Sequence, residues 1–363
     1  MVGRAEMMTL DLFTVFLLAF ACVPLSWAVP KEYVFDVVAI WTVLCLFALS
    51  PATAVWLILI AISLPYVLSS GAKAKGLVAA ATITALVLGL IWSRFAPGWA
   101  WIGGAFFTLR AIHLVVEWWM GRHPAPKLRE SLHYFLFLPV LAAGPINRLP
   151  HFQHQLRRRR WDPDKFMTGA ERVLLGLVFL YIIASRVGTR LDPEVAQMVA
   201  GLGPFWRIWS ASAVSWVELF FVFAGATHLA LGIALMMGLK LEENFDRPWA
   251  ARNLIEFWTR WHMSLTRWVQ DYVFRPLTAL TQQPIFALVA AMLVIGLWHE
   301  FSAYYVMWSF WQALGIVVSR LLVQREIGAK VPTRLMTVLG PLGVLAWLSA
   351  ARPVIGLLLG DIS

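Results

Sequence analysis

Apolar residues in this chain gather into long uninterrupted runs. They lie near 8–29, 34–50, 52–69, 76–95, 99–120, 131–146, 169–189, 205–239, 284–298, 302–323 and 335–359. A helix needs about 20 apolar residues to cross the hydrocarbon core of a bilayer. A membrane β-barrel would show short alternating strands instead. The pattern predicts an all-α polytopic membrane protein, a bundle of about ten or eleven membrane helices. The run at 205–239 exceeds one span and leaves room for two, and the shorter runs fit tilted or re-entrant segments. With no soluble domain or internal repeat, the chain reads as one transmembrane domain over 1–363. The first run has the hydropathy of a signal peptide. Asp11 interrupts it, no small-residue cleavage site follows, and more spans come next, so it is expected to remain as a first membrane helix.

Composition agrees with the pattern: 60% of residues are hydrophobic and 14% charged, against about 25% charged in soluble domains. A net charge of +10 would point to nucleic acid in a soluble protein. Here the basic residues cluster in short loops between apolar runs, where membrane orientation and anionic lipid account for them. Membrane lipids are therefore expected partners and nucleic acid is not. Lys73 and Lys75 mark one loop. Arg157, Arg158, Arg159, Arg160 and Lys165 mark a second, and Lys240, Arg247, Arg252, Arg260, Arg267 and Arg275 a third. Arg320, Arg325, Lys330 and Arg334 mark a fourth. Placing the last three in the cytoplasm puts the turn near 299–304 far from the cytoplasmic charge. Cys22 and Cys45 sit in early apolar runs and read as packing residues, not a disulfide framework or metal site.

Two stretches depart from plain apolar spans. In GGAFFTLRAIHLVVEWWMGR at 103–122, Arg110, His113 and Glu117 are spaced three and four apart, on one helix face. That face should turn into the bundle or a wet cavity, with Arg110 and Glu117 partly compensating each other and pinning helices together; direct chemistry by this face is the alternative. The segment 242–277 is amphipathic, and Trp249, Trp258, Trp261 and Trp268 suit a membrane interface. Asn253 is expected to cap a helix starting at Leu254, with Glu256 completing a capping box.

The chemistry available is that of histidine, which titrates near neutral pH. His123, His151 and His154 lie among loop prolines and arginines, where solvated histidine is the default. HFQH at 151–154 lacks a carboxylate or cysteine companion for a metal. His299-Glu300 begins like the zinc-protease motif, but Ala303 stands where the second histidine belongs. Phosphate-cradling glycine motifs and the G-x-S-x-G elbow are absent from the sequence, so neither an energy-coupled pump nor a serine hydrolase is supported. What remains is His299, inside LVIGLWHEFSAYYVMWSFW and read as buried in a membrane cavity, with His262 lying 37 residues earlier. Spacing alone leaves His299 either a hydrogen-bonded structural group or a general base.

Four blocks carry a resemblance to the membrane-bound O-acyltransferase family, in its bacterial branch of alginate O-acetylation and D-alanyl transfer proteins. They are 103–122, FLPVLAAGPINRLPHFQHQL at 137–156, LEENFDRPWAARNLIEFWTRWHMSLTRWVQDYVFRPL at 241–277 and GLWHEFSAYYVMWSFWQAL at 296–314. Together they define a family core of about 103–320, flanked by N-terminal helices over 1–102 and a C-terminal helix over 321–363. The resemblance implies that His299 is the signature histidine, in a channel linking the two membrane faces, and that His262 is the second family position. Trp298, Asn244, Glu256, Trp258, Arg260, Trp261 and Asp271 are expected to contact substrate. It implies a bacterial inner-membrane protein with no bound cofactor. Its donor would be a cytoplasmic acyl thioester, on coenzyme A or an acyl carrier protein, and a periplasmic acyltransferase partner would take part. The branch usually carries an aspartate-containing stretch where this chain reads FVFAGATHLALG at 221–232, with Val222 and His228 in place of the acidic residues, and Glu300 replaces a common glycine. Val222 and His228 point to a changed cavity and a changed acceptor, and Glu300 either tunes the imidazole or faces water at the hairpin tip.

The chemistry follows from the residue. A neutral imidazole takes the proton of an attacking hydroxyl, a step worth about 10²–10⁴ in rate. The expected reaction is transfer of an acyl group, acetyl first, to an envelope polysaccharide or a periplasmic relay protein, with His299 as base. His262 would orient the thioester or brace the interfacial helix, and Arg260, Arg267 and Arg275 would meet an acidic carrier, coenzyme phosphates or lipid headgroups. Rival readings are acylation of a lipid or small secreted metabolite, and a transporter or scaffold that moves lipid or acyl groups without chemistry.

Overall fold

A computed structural model describes residues 12–70, 74–95, 102–327 and 332–360. Asp11, Lys73 and Lys330 fall outside the described residues. Every regular element among those described is helical. They are α1 (Leu12–Ala28), α2 (Val34–Leu49), α3 (Pro51–Ser70), α4 (Lys75–Phe95), α5 (Gly104–Trp119), α6 (Leu128–Phe135), α7 (Leu149–Arg157), α8 (Pro163–Met198) and α9 (Pro204–Met236). They continue with α10 (Leu254–Arg260), α11 (Met263–Val269), α12 (Arg275–Thr281), α13 (Pro284–His299), α14 (Ala303–Gln324) and α15 (Thr333–Leu359). Six of these, α3, α4, α8, α9, α14 and α15, are long and apolar enough to cross a membrane; α1, α2 and α13 are apolar but shorter.

Three of the apolar runs fold differently from expectation. The run at 205–239 is not two spans: α9 is one helix of 33 residues, with no proline inside to break it. The run at 131–146 is not a span, because α6 ends at Phe135 and a single 3₁₀ turn follows at Leu138–Val140. Pro139 and Pro145 withhold the N–H groups that a continued helix would need. The run at 99–120 yields the 16-residue α5, closed by Gly121 in a left-handed conformation.

The chain packs as two compact units. The first joins Met1–Gly176 to Ala226–Glu242. Its core includes Phe107, Tyr134, Phe135, Phe137 and Phe152, all fully buried. Two arginines are buried with them. Arg110, 1% exposed, donates to the Tyr134 carbonyl and lies 4.1 Å over the Tyr134 ring. It does not compensate Glu117, whose carboxylate instead pairs with Arg122 at 3.3 Å, where the chain turns back at the end of α5. Arg159 is not a solvated loop residue: it donates to the carbonyls of Met237 (2.8 Å) and Ser26 (2.6 Å), with its guanidinium 3.9 Å from the Trp27 ring. Arg159 thus has two carbonyl oxygens and an aromatic face in place of water, and Arg110 one carbonyl oxygen and an aromatic face.

The second unit joins Leu177–Gly225 to Glu243–Ser363. π-Helical turns interrupt α8 at Val178–Ala184 and Val187–Leu191, and another lies between α11 and α12 at Gln270–Phe274. The tryptophan-rich stretch of this unit is broken into short helices. Asn253 caps α10 as expected, accepting from the Glu256 N–H at 2.9 Å. The Glu256 carboxylate reaches one residue further back than a capping box would place it, to the Arg252 N–H at 3.1 Å. We expect Asn253→Ala to lower stability by about 0.5–2 kcal/mol and Asn253→Asp to retain it, as measured by thermal unfolding in detergent.

Candidate active site

The site is built on a helical hairpin of the second unit. α13 ends at His299, and Glu300 follows in an extended conformation. Ser302 caps α14, accepting from the Tyr305 N–H at 3.4 Å. The tip therefore falls at 299–304, where the charge pattern placed it. The two helices approach closely at Gly296. A Cβ there would lie 2.1 Å from the Ser309 Oγ and 2.6 Å from the Tyr305 carbonyl oxygen, so only glycine fits without movement.

That approach brings the aromatic face of α14 against His299. The Tyr305 ring stacks on the imidazole at 5.6 Å and 19°, and Trp308 meets it edge-on at 5.9 Å. Trp298 lies 4.8 Å away on the other flank. His299 is exposed, not buried as the apolar context implied. Its helix ends at that residue and the chain turns away, so the ring is walled on its flanks but remains open.

Trp298 also contacts His262, ring to ring at 5.4 Å, so one indole lies between the two histidines. His262 is 2% exposed and has a left-handed backbone, φ 43°. Such a conformation is uncommon outside glycine and tends to be held at functional sites. Here neighbours hold it: the Met263 N–H donates to the Asn244 carbonyl at 2.8 Å, the Ser264 Oγ donates to the Asn244 Oδ1 at 2.6 Å, and Phe223 packs on the imidazole at 4.7 Å. His262 lies outside the apolar helices. Burial, with a smaller repulsive effect from His299, pushes its pKa down to about 3, so it is neutral at physiological pH.

Of the expected substrate contacts, the structure brings Trp298 and Trp258 into this cluster, Trp258 edge-on to Trp308 at 5.9 Å. Asn244 is a buried brace for the His262 turn. Trp261 packs instead with Phe245 and Phe257. Glu256 pairs with Arg260 at 3.6 Å, and Asp271 with Arg275 at 2.6 Å. Tyr305, Trp308 and Phe223 were not among the expected site residues. A signal for the first two was present, since Tyr305, Trp308 and Gln312 share one helix face at spacings of three and four.

An open imidazole with aromatic walls and a neutral second histidine behind it can accept a proton from a small polar group. A sequence model of the membrane-bound O-acyltransferase family matches residues 121–350, which include both histidines and the whole hairpin. The chain belongs to this family. Among relatives of this O-acyltransferase-family chain, the teichoic acid D-alanyltransferase of Streptococcus thermophilus is 30% identical over 234 residues, 60% of this chain and 56% of that protein. A probable alginate O-acetylase of Pseudomonas aeruginosa is 32% identical over 225 residues, 61% and 43% of the two chains. A peptidoglycan O-acetyltransferase of Helicobacter pylori is 27% identical over 251 residues, 60% and 46%. The chain spans about half the length of these curated relatives.

Two outcomes test the site's construction. Gly296→Ala should force α13 and α14 apart and cost about 1–3 kcal/mol, read as a lower unfolding temperature. Ser309→Ala should recover only part of this, because the Tyr305 carbonyl remains. For His262 the folded pKa lies below the unfolded value of about 6.5, so the unfolded state binds the extra proton. Stability should fall as pH drops from about 6.5 towards 3, and His262→Asn should flatten that limb in pH-dependent unfolding.

Proposed function

We propose that this membrane-bound protein transfers an acyl group, acetyl first, from a thioester to a hydroxyl, with His299 as the general base. The observation that supports the reading is the imidazole itself: open to a substrate at the end of α13, walled by Trp298, Tyr305 and Trp308, and carried by a member of an O-acyltransferase family. The acceptor oxygen attacks the thioester carbonyl while His299 takes its proton. The C–S bond then breaks, and the leaving thiolate takes the proton back from the imidazolium. His262 acts as a positioning residue: neutral and buried, it holds the Trp298 indole against His299. The donor thioester, on coenzyme A or a carrier protein, approaches from the cytoplasm. The acceptor is an envelope polysaccharide or a periplasmic relay protein, in keeping with the envelope-polymer acceptors that the relatives' names give. The protein thus works in the cytoplasmic membrane, with a periplasmic partner completing transfer.

The test is acyl transfer from a radiolabelled thioester by purified, reconstituted protein. His299→Ala should lose about 10²–10⁴ in rate while its elution profile and unfolding temperature match wild type. Transfer at the wild-type rate in that folded variant would overturn the reading and leave a carrier of lipid or acyl groups without chemistry of its own.

A further inference from the structure

The second unit contains a cavity of about 510 Å³ that the acyl-transfer reading does not use. Its lining is almost wholly apolar and includes Trp216, Phe220, Trp249 and Trp261 on one side and Pro341 and Leu345 of α15 on the other. Neither histidine of the candidate site lines it. Trp249, 60% exposed, stands at its opening. A lining this poor in polar groups offers water none of the two to four partners that it needs. A partner helix is about 10–12 Å across, so the volume would admit only about one turn of it. The shape suits a flexible hydrocarbon chain, which the surrounding bilayer supplies.

The rim decides which lipid. Cationic side chains flank the lining residues. Arg252 packs its backbone against Gly340, where an added Cβ would come within 2.7 Å of the Arg252 Cα, and the next residue, Pro341, lines the cavity. Arg334 lies seven residues before Pro341, two helical turns along the same face of α15. Both arginines are exposed, and neither has an ion pair among the described residues. The nearby carboxylates of Asp246 and Glu256 are engaged by Arg247 at 3.4 Å and Arg260 at 3.6 Å. Arg252 in the loop before α10 and Arg334 in the first turn of α15 both belong to basic segments that the charge pattern places on the cytoplasmic side, facing the leaflet that carries anionic lipid.

We propose that this cavity binds one anionic glycerophospholipid of the cytoplasmic leaflet, with an acyl chain inside it and the headgroup phosphate held by Arg252 and Arg334. The site is separate from acyl transfer and stands or falls independently of it.

Native mass spectrometry of the detergent-purified protein, exchanged with phosphatidylglycerol or phosphatidylcholine of identical chains, tests the proposal. Wild type should retain phosphatidylglycerol in preference to phosphatidylcholine, and each arginine should be worth about 5-fold. Arg252→Gln and Arg334→Gln together should abolish the preference while weaker binding of both lipids persists. Leu345→Trp fills the cavity and should remove both; Val217→Phe serves if that variant does not fold. Equal retention of the two lipids by wild type, or retention unchanged in the filled variant, would mean only surrounding lipid adheres and overturns the proposal. Retention of free fatty acid or acyl thioester in place of phospholipid overturns it equally.

Discussion

The candidate site depends on how near α13 and α14 come at Gly296. With no Cβ there, the backbone of one helix reaches the Tyr305 carbonyl and Ser309 hydroxyl of the other. In a membrane, where lipid tails are as apolar as the side chains, close backbone contact through small residues is what holds helices together. The contact lies one turn from His299 and fixes where Tyr305 and Trp308 fall relative to the imidazole. A few tenths of an ångström there would change the walls of the site without altering any of its residues.

Polar groups withdrawn from water are accommodated differently in the two units. Arg110 and Arg159 trade hydration for carbonyl oxygens and aromatic faces. His262 takes the other course, remaining neutral among Phe223 and Trp298. The contrast is that of a guanidinium, which does not give up its proton, and an imidazole, which gives it up readily. His299, by contrast, stands exposed at the end of its helix.

The second unit shows two surfaces with different chemistry. Around His299 the aromatic rings frame a polar group; around the 510 Å³ cavity they enclose none. Trp261 and His262 are adjacent in sequence yet face these two surfaces separately, because the left-handed turn at His262 redirects the chain between them.

Hydropathy and the basic loops together determined the helical class, the membrane location and the hairpin tip near 299–304, because apolar run length and loop charge are local properties of the chain. The four sequence blocks likewise marked out the two histidines and the family. Asn253 could be recognised as a cap because a cap needs only neighbours within one turn. Contacts between distant segments decided the rest. That Arg110 turns to Tyr134 and not Glu117, that Arg159 is buried, and that α9 is one helix depend on partners or helix continuity that charge and run length do not specify. The indole between His262 and His299 and the apolar cavity exist only where segments far apart in sequence meet, whereas the opening at His299 follows from where α13 ends. Side-chain packing across those segments, not periodicity along any one of them, sets the geometry of the indole and the cavity.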